Sequence, residues 1–68
     1  MEAHNCRLMR LPEVMQLVGF GKSQIYTLMR AGQFPQAIKL SPRVTVWRSD
    51  EIDAFIEERT AMAREAGQ

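Results

Sequence analysis

This 68-residue sequence has a single cysteine, a single histidine, a single tryptophan and a single tyrosine. One thiol, Cys6, cannot close an internal disulfide, and with His4 as the lone imidazole it cannot assemble a zinc site. No cofactor is therefore expected, and a reducing, cytoplasmic setting suits such a chain. No run of about 18 apolar residues occurs, so no membrane-spanning helix is expected. Residues 1–10 lack an apolar core and do not read as a secretory leader. No Ser/His/Asp set and no phosphate-cradling glycine loop can be assembled from the chain.

Shortness excludes more. The chain makes one domain, and one this small buries only about 60% of its unfolded surface, which leaves no volume for a core plus a deep substrate pocket. The sequence reads as a binding protein rather than an enzyme. Its 46% hydrophobic and 25% charged content is that of a globular fold, not a disordered one.

A net charge of +1 conceals a strong asymmetry. Residues 1–48 carry seven bases (Arg7, Arg10, Lys22, Arg30, Lys39, Arg43 and Arg48) against two acids, Glu2 and Glu13. Residues 49–68 carry six acids against Arg59 and Arg64. Such a split suggests one surface turned to a polyanion and another turned to solvent or a protein.

The apolar periodicity organises the chain. Residues 1–6 are polar and aperiodic and read as a flexible arm, ahead of a domain over 7–64 and a frayed end at 65–68. Leu11, Val14, Met15 and Val18 make one helical stripe, with Pro12 in the first turn and Gly19 as the stop, predicting a helix over about 12–18. Ile25, Leu28 and Met29 make a second stripe, predicting a helix over about 22–31 that ends at Gly32. After Pro35 the period changes. Residues 37–40 and 44–47 are β-favouring, and Ser41-Pro42-Arg43 between them makes a hairpin with Arg43 near its tip. Ser49 reads as the N-cap of a last helix over about 50–64, whose inner stripe is Ile52, Phe55, Ile56 and Met62. The expected fold is mainly α with a small β-hairpin: a winged helix-turn-helix of three helices and a two-stranded wing.

That arrangement has a mechanical purpose. Two short helices joined by a glycine-containing turn hold the second helix where it fits the major groove, about 12 Å wide, with its N-terminal residues at the base edges. Lys22 and Ser23 occupy that end; Tyr26, Thr27 and Arg30 follow along the polar face. Lysine can donate to guanine, threonine can meet a thymine methyl, and Gln24, nearer the flank, can pair with adenine. Arg30 and the basic hairpin residues Lys39, Arg43 and Arg48 suit phosphates or an adjacent minor groove. Tyr26 has two readings: a DNA contact, or a ring laid on the helix with only its hydroxyl in water. Trp47, on a strand among apolar neighbours, reads as core.

The order Arg10-Leu11-Pro12-Glu13-Val14, Gly19-Phe20-Gly21-Lys22-Ser23-Gln24-Ile25-Tyr26, Gly32-Gln33-Phe34-Pro35 and Trp47-Arg48 resembles the AlpA family over about residues 7–60. That resemblance implies a small prophage-associated regulator, related in fold to excisionases and to the DNA-binding head of MerR-type regulators. It implies DNA contact by Lys22, Ser23, Tyr26, Thr27, Arg30 and Arg43. One departure is Gly21, where similar proteins carry a Ser or Thr cap. The expected partner is duplex DNA, in transcriptional control of an integrase or excision gene. Alternatives are an excisionase-like architectural role, or a protein-interaction module working through the acidic last helix. Self-association on DNA and a recombinase or regulator partner are further expectations.

Overall fold

Pro12 and Gly19 bound the first helix from opposite ends, one by lacking an N–H and one by accepting a left-handed backbone. The computed structural model describes residues 6–65 and runs β1 (Leu8–Arg10), α1 (Leu11–Val18), α2 (Lys22–Arg30), β2 (Ile38–Ser41), β3 (Val44–Arg48) and α3 (Ser49–Glu65). Gly19 closes α1 at φ +80°, its N–H donating to Met15 O at 2.9 Å. Three residues later α2 begins. It ends in a Schellman arrangement around Gly32 (φ +76°), where Gly32 N–H donates to Met29 O and Gln33 N–H to Leu28 O. The expected arm lies outside the described residues except for Cys6, and the expected frayed end except for Glu65, which closes α3.

The sheet corrects one expectation. In place of a two-stranded ribbon, the described residues form a three-stranded antiparallel sheet in the order β1-β3-β2. Strand β1 pairs with the hairpin's second strand, setting Met9 opposite Trp47 and Arg10 opposite Val46. Strand β2 pairs on the other side, Ile38 opposite Val46, with a bulge at Leu40. Side chains alternate across the pleat, so Met9 and Trp47 share the core face while Val46, also buried, faces the other way between Arg10 and Ile38.

Almost every element supplies one core side chain. Met9 of β1, Val14 of α1, Ile25 of α2, Phe34 of the 31–37 connection, Trp47 of β3 and Ile52 of α3 form a single buried cluster. Strand β2 supplies none; all four of its residues are exposed. Trp47 is completely buried, and its indole N–H donates to Pro35 O at 3.2 Å. Phe34 meets Phe55 edge-on at 4.7 Å, which ties the connection to α3.

Two expectations about α3 are corrected here. Met62 is 58% exposed rather than inward, because the helix outruns the core after Ile56. Ser49 does not spend its hydroxyl on the helix end: Ser49 Oγ accepts the Arg7 N–H at 2.8 Å, and Ser49 N–H donates to Arg7 O at 2.8 Å. This pair of bonds fastens the chain just before β1 to the start of α3. The acids Asp50 and Glu51 do occupy the first turn, where the helix dipole favours them. No helix among the described residues is long and apolar enough to cross a membrane.

Candidate nucleic-acid interface

An α-helix turns about 100° per residue, so α2 has a definite inner and outer side once Ile25 is buried. On that geometry Ser23, Thr27 and Arg30, spaced i, i+4, i+7, lie along the side opposite Ile25, and all three are exposed. Gln24 and Tyr26 flank this stripe, and Lys22 stands at the N-terminal end, also exposed. Gly21 caps α2 with extended backbone (φ −80°) and has no side chain to accept the first amides, and no acid sits in the first turn. The leading N–H groups and the Lys22 charge thus leave this end of the helix electropositive.

Tyr26 resolves toward its packing role. It is half-buried, and its ring meets Trp47 edge-on with centroids 6.4 Å apart. The ring braces α2 against β3 beside the outer stripe. Leu28 and Met29 pack inward on the core, and Gln36 Nε2 donates to Met29 O at 3.0 Å, so the connection holds the end of α2 in place. The outer stripe is therefore carried on a helix fixed at several points along its length.

The hairpin carries the remaining bases. Arg43 sits in the turn between β2 and β3, exposed, with its N–H 3.4 Å from Ser41 Oγ. Lys39 is exposed on β2, its ammonium donating to Pro42 O at 3.3 Å. Arg48 stands apart. Its Nε and Nη2 donate to Asp50 Oδ1 and Oδ2 at 3.1 and 2.9 Å, a two-pronged ion pair at the junction of β3 and α3. Arg7 is paired with Glu13 through a single contact, Nη2 to Oε2. Of the residues read from sequence as nucleic-acid contacts, Arg48 alone has its charge answered by a carboxylate among the described residues. Sequence reading missed this because the partner lies two residues on, across a strand-to-helix junction.

The hydrogen bond from Arg48 lowers the Asp50 carboxyl to about 2, and the same pairing raises the guanidinium. Arg7 likewise lowers Glu13, again chiefly through the hydrogen bond. A carboxyl depressed in the folded state stabilises it above the unfolded value, about 3.9, and that contribution is lost as pH falls through the folded value. The melting temperature should therefore hold steady at neutral pH and fall between about pH 4 and pH 2. Asp50→Asn should make that fall shallower, with Glu13 supplying what remains. Superimposable acid profiles for the two proteins would contradict the Arg48–Asp50 pairing.

Comparison with known proteins identifies the family to which the chain belongs. Residues 7–60 match the family model described as prophage CP4-57 regulatory protein (AlpA). The chain is also 40% identical over 55 residues to a protein of Enterobacteria phage P4 described as uncharacterized protein ORF88. That match takes in 81% of this chain and 62% of the phage protein, so the chain spans less than two thirds of its relative's length. The matched segment contains β1, both short helices, the hairpin and the packed half of α3. This chain belongs to the AlpA family of prophage regulatory proteins.

Proposed function

We propose that the chain is a sequence-specific DNA-binding regulator of transcription, built as a winged helix-turn-helix and acting in the cytoplasm without catalysis. The observation that carries the proposal is the exposed Ser23–Thr27–Arg30 stripe on a helix whose opposite side is locked by Ile25. A helix braced on one side and polar on the other suits major-groove insertion, and its electropositive N-terminal end suits a phosphate. In this reading Lys22, Ser23, Gln24 and Thr27 face bases and Arg30 a phosphate. The β2–β3 hairpin is the wing, with Arg43 and Lys39 reaching the adjacent backbone or minor groove. Tyr26 supports the face from its edge. Arg48, held by Asp50, contributes little.

Membership in a family of prophage regulators supports control of an integrase or excision gene as the biological setting. Footprinting on the DNA flanking its own gene tests this. Protection at a promoter, of one site or of directly adjacent sites, is the expected result. Repeated sites beside an attachment sequence would instead assign an architectural role in excision, and no protected site at any protein concentration would overturn DNA binding itself.

A further inference from the structure

Two features have no use in the fold or in the DNA face. The first is Leu40, 56% exposed at the bulge in β2, one residue after Lys39. A bulge leaves its extra residue out of the ladder, so this leucine is presented to solvent on the hairpin's edge. The second is an open groove between the Gly32–Ile38 segment and α3. Phe34, Ala54, Phe55 and Met62 give it an apolar floor, and Glu51 and Glu58 stand on its rim. Ala54, Phe55, Glu58 and Met62 are spaced along α3 so that they share one side of the helix. Arg59 also borders the groove, its guanidinium over the Phe55 ring at 5.3 Å; it keeps its charge there, so two carboxylates against one base leave the rim acidic by a single charge.

We propose that this groove receives the hairpin edge of a second copy of the chain. Leu40 of one molecule fills the apolar floor of its neighbour, and the adjacent Lys39 meets Glu51 and Glu58. Lys39 thus faces DNA in a lone copy and turns to the neighbour in a copy whose hairpin is seated, while Arg43, in the turn beyond, stays available to DNA in both. The complementarity has two independent parts. An unpartnered apolar side chain matches an unpartnered apolar groove, and a base beside the one matches two acids beside the other.

The two surfaces differ, so the contact is head-to-tail and leaves a free groove at one end and a free hairpin at the other. One side chain in one groove falls well short of the roughly 1,000 Å² that a stable interface needs. Dilute protein is therefore monomeric. The contact becomes effective when adjacent DNA sites hold two copies together and raise their mutual concentration. This benefit rests on the DNA-binding reading, whereas the contact does not, so the test is made without DNA.

The experiment follows backbone amide resonances of the full chain across a dilution series from about 2 mM to about 50 μM, where a weak contact of this kind is populated and then lost. Amides of Lys39 and Leu40 and those of Ala54, Phe55 and Glu58 should shift together as concentration rises. Sedimentation at the upper end should pass beyond the dimer. Two variants at exposed positions separate the halves: Leu40→Glu removes the hairpin edge and Ala54→Arg fills the groove. Each alone should abolish the concentration dependence. Mixed, they should restore shifts in the groove of Leu40→Glu and in the hairpin of Ala54→Arg, stopping at a pair.

Several results would overturn the proposal. One is an absence of concentration dependence at the upper limit. Others are shifts confined to other surfaces, or association that ends at a symmetric dimer in the wild type. A groove found occupied by residues of its own chain at every concentration would do the same.

Discussion

Replacing Trp47 with alanine should leave most of the chain unfolded at room temperature. The indole is fully buried at the centre of a cluster to which five other segments each give one side chain. It stands opposite Met9, takes the edge of Tyr26, and donates its N–H to Pro35 O. Truncating a buried tryptophan costs about 3–5 kcal/mol, and a core of this size supplies about 3–5 kcal/mol in all. The two quantities are equal, so the variant has no margin. Trp47→Phe separates packing from hydrogen bonding: it keeps an aromatic ring and leaves Pro35 O unpaired, a loss of about 1–3 kcal/mol. Thermal melts followed by circular dichroism decide the matter. A cooperative transition for Trp47→Ala within a few degrees of wild type would show that the core is centred elsewhere.

The second large effect belongs to the outer side of α2. Thr27→Ala and Lys22→Ala should each cost about 1–3 kcal/mol of binding to the preferred duplex and relax preference at particular base pairs. Arg30→Ala should weaken binding to all sequences nearly alike, because a phosphate contact carries no base information. These positions are exposed and make no core contact, so folding should survive the changes. Binding to a panel of single-base changes in the footprinted site gives a profile for each variant. Identical profiles for all three would refute this division of roles.

Much of the architecture was legible in the sequence because it is local. The Leu11–Val18 and Ile25–Met29 stripes, the stops at Gly19 and Gly32, and the Ser41-Pro42-Arg43 turn each place an element within a residue or two. Strand β1 was not legible. Three residues with one inward side chain, Met9, are too few for a period, and their pairing partner lies across most of the chain. Phe34 escaped for a related reason: it is buried from an irregular segment, where no periodicity marks the inward side. Met62 shows the opposite error. Its spacing continues the inner stripe of α3, but spacing cannot tell where the surface it would pack against comes to an end.

The candidate site divides along the same line. That Ser23, Thr27 and Arg30 are exposed follows from helical phase, once Ile25 is taken as the inner position. Lys22, three residues before Ile25 and so on its side, is exposed because it stands at the helix end. Tyr26 leaning on Trp47 and Arg48 gripped by Asp50 depend on how strands and helices meet, which no local pattern encodes.

The measurement that tests the central claim most directly is the salt dependence of binding to the footprinted duplex, followed by fluorescence anisotropy from about 50 to 200 mM salt. Each phosphate neutralised contributes about −0.9 to the slope of log K against log salt concentration. The proposed face offers Lys22, Arg30, Lys39 and Arg43, while Arg48 is held by Asp50. The predicted slope is therefore about −3 to −4 for the wild type and shallower by about one for Arg30→Ala, with Arg48→Ala unchanged. A slope near zero, or one altered by Arg48→Ala and not by Arg30→Ala, would contradict the account.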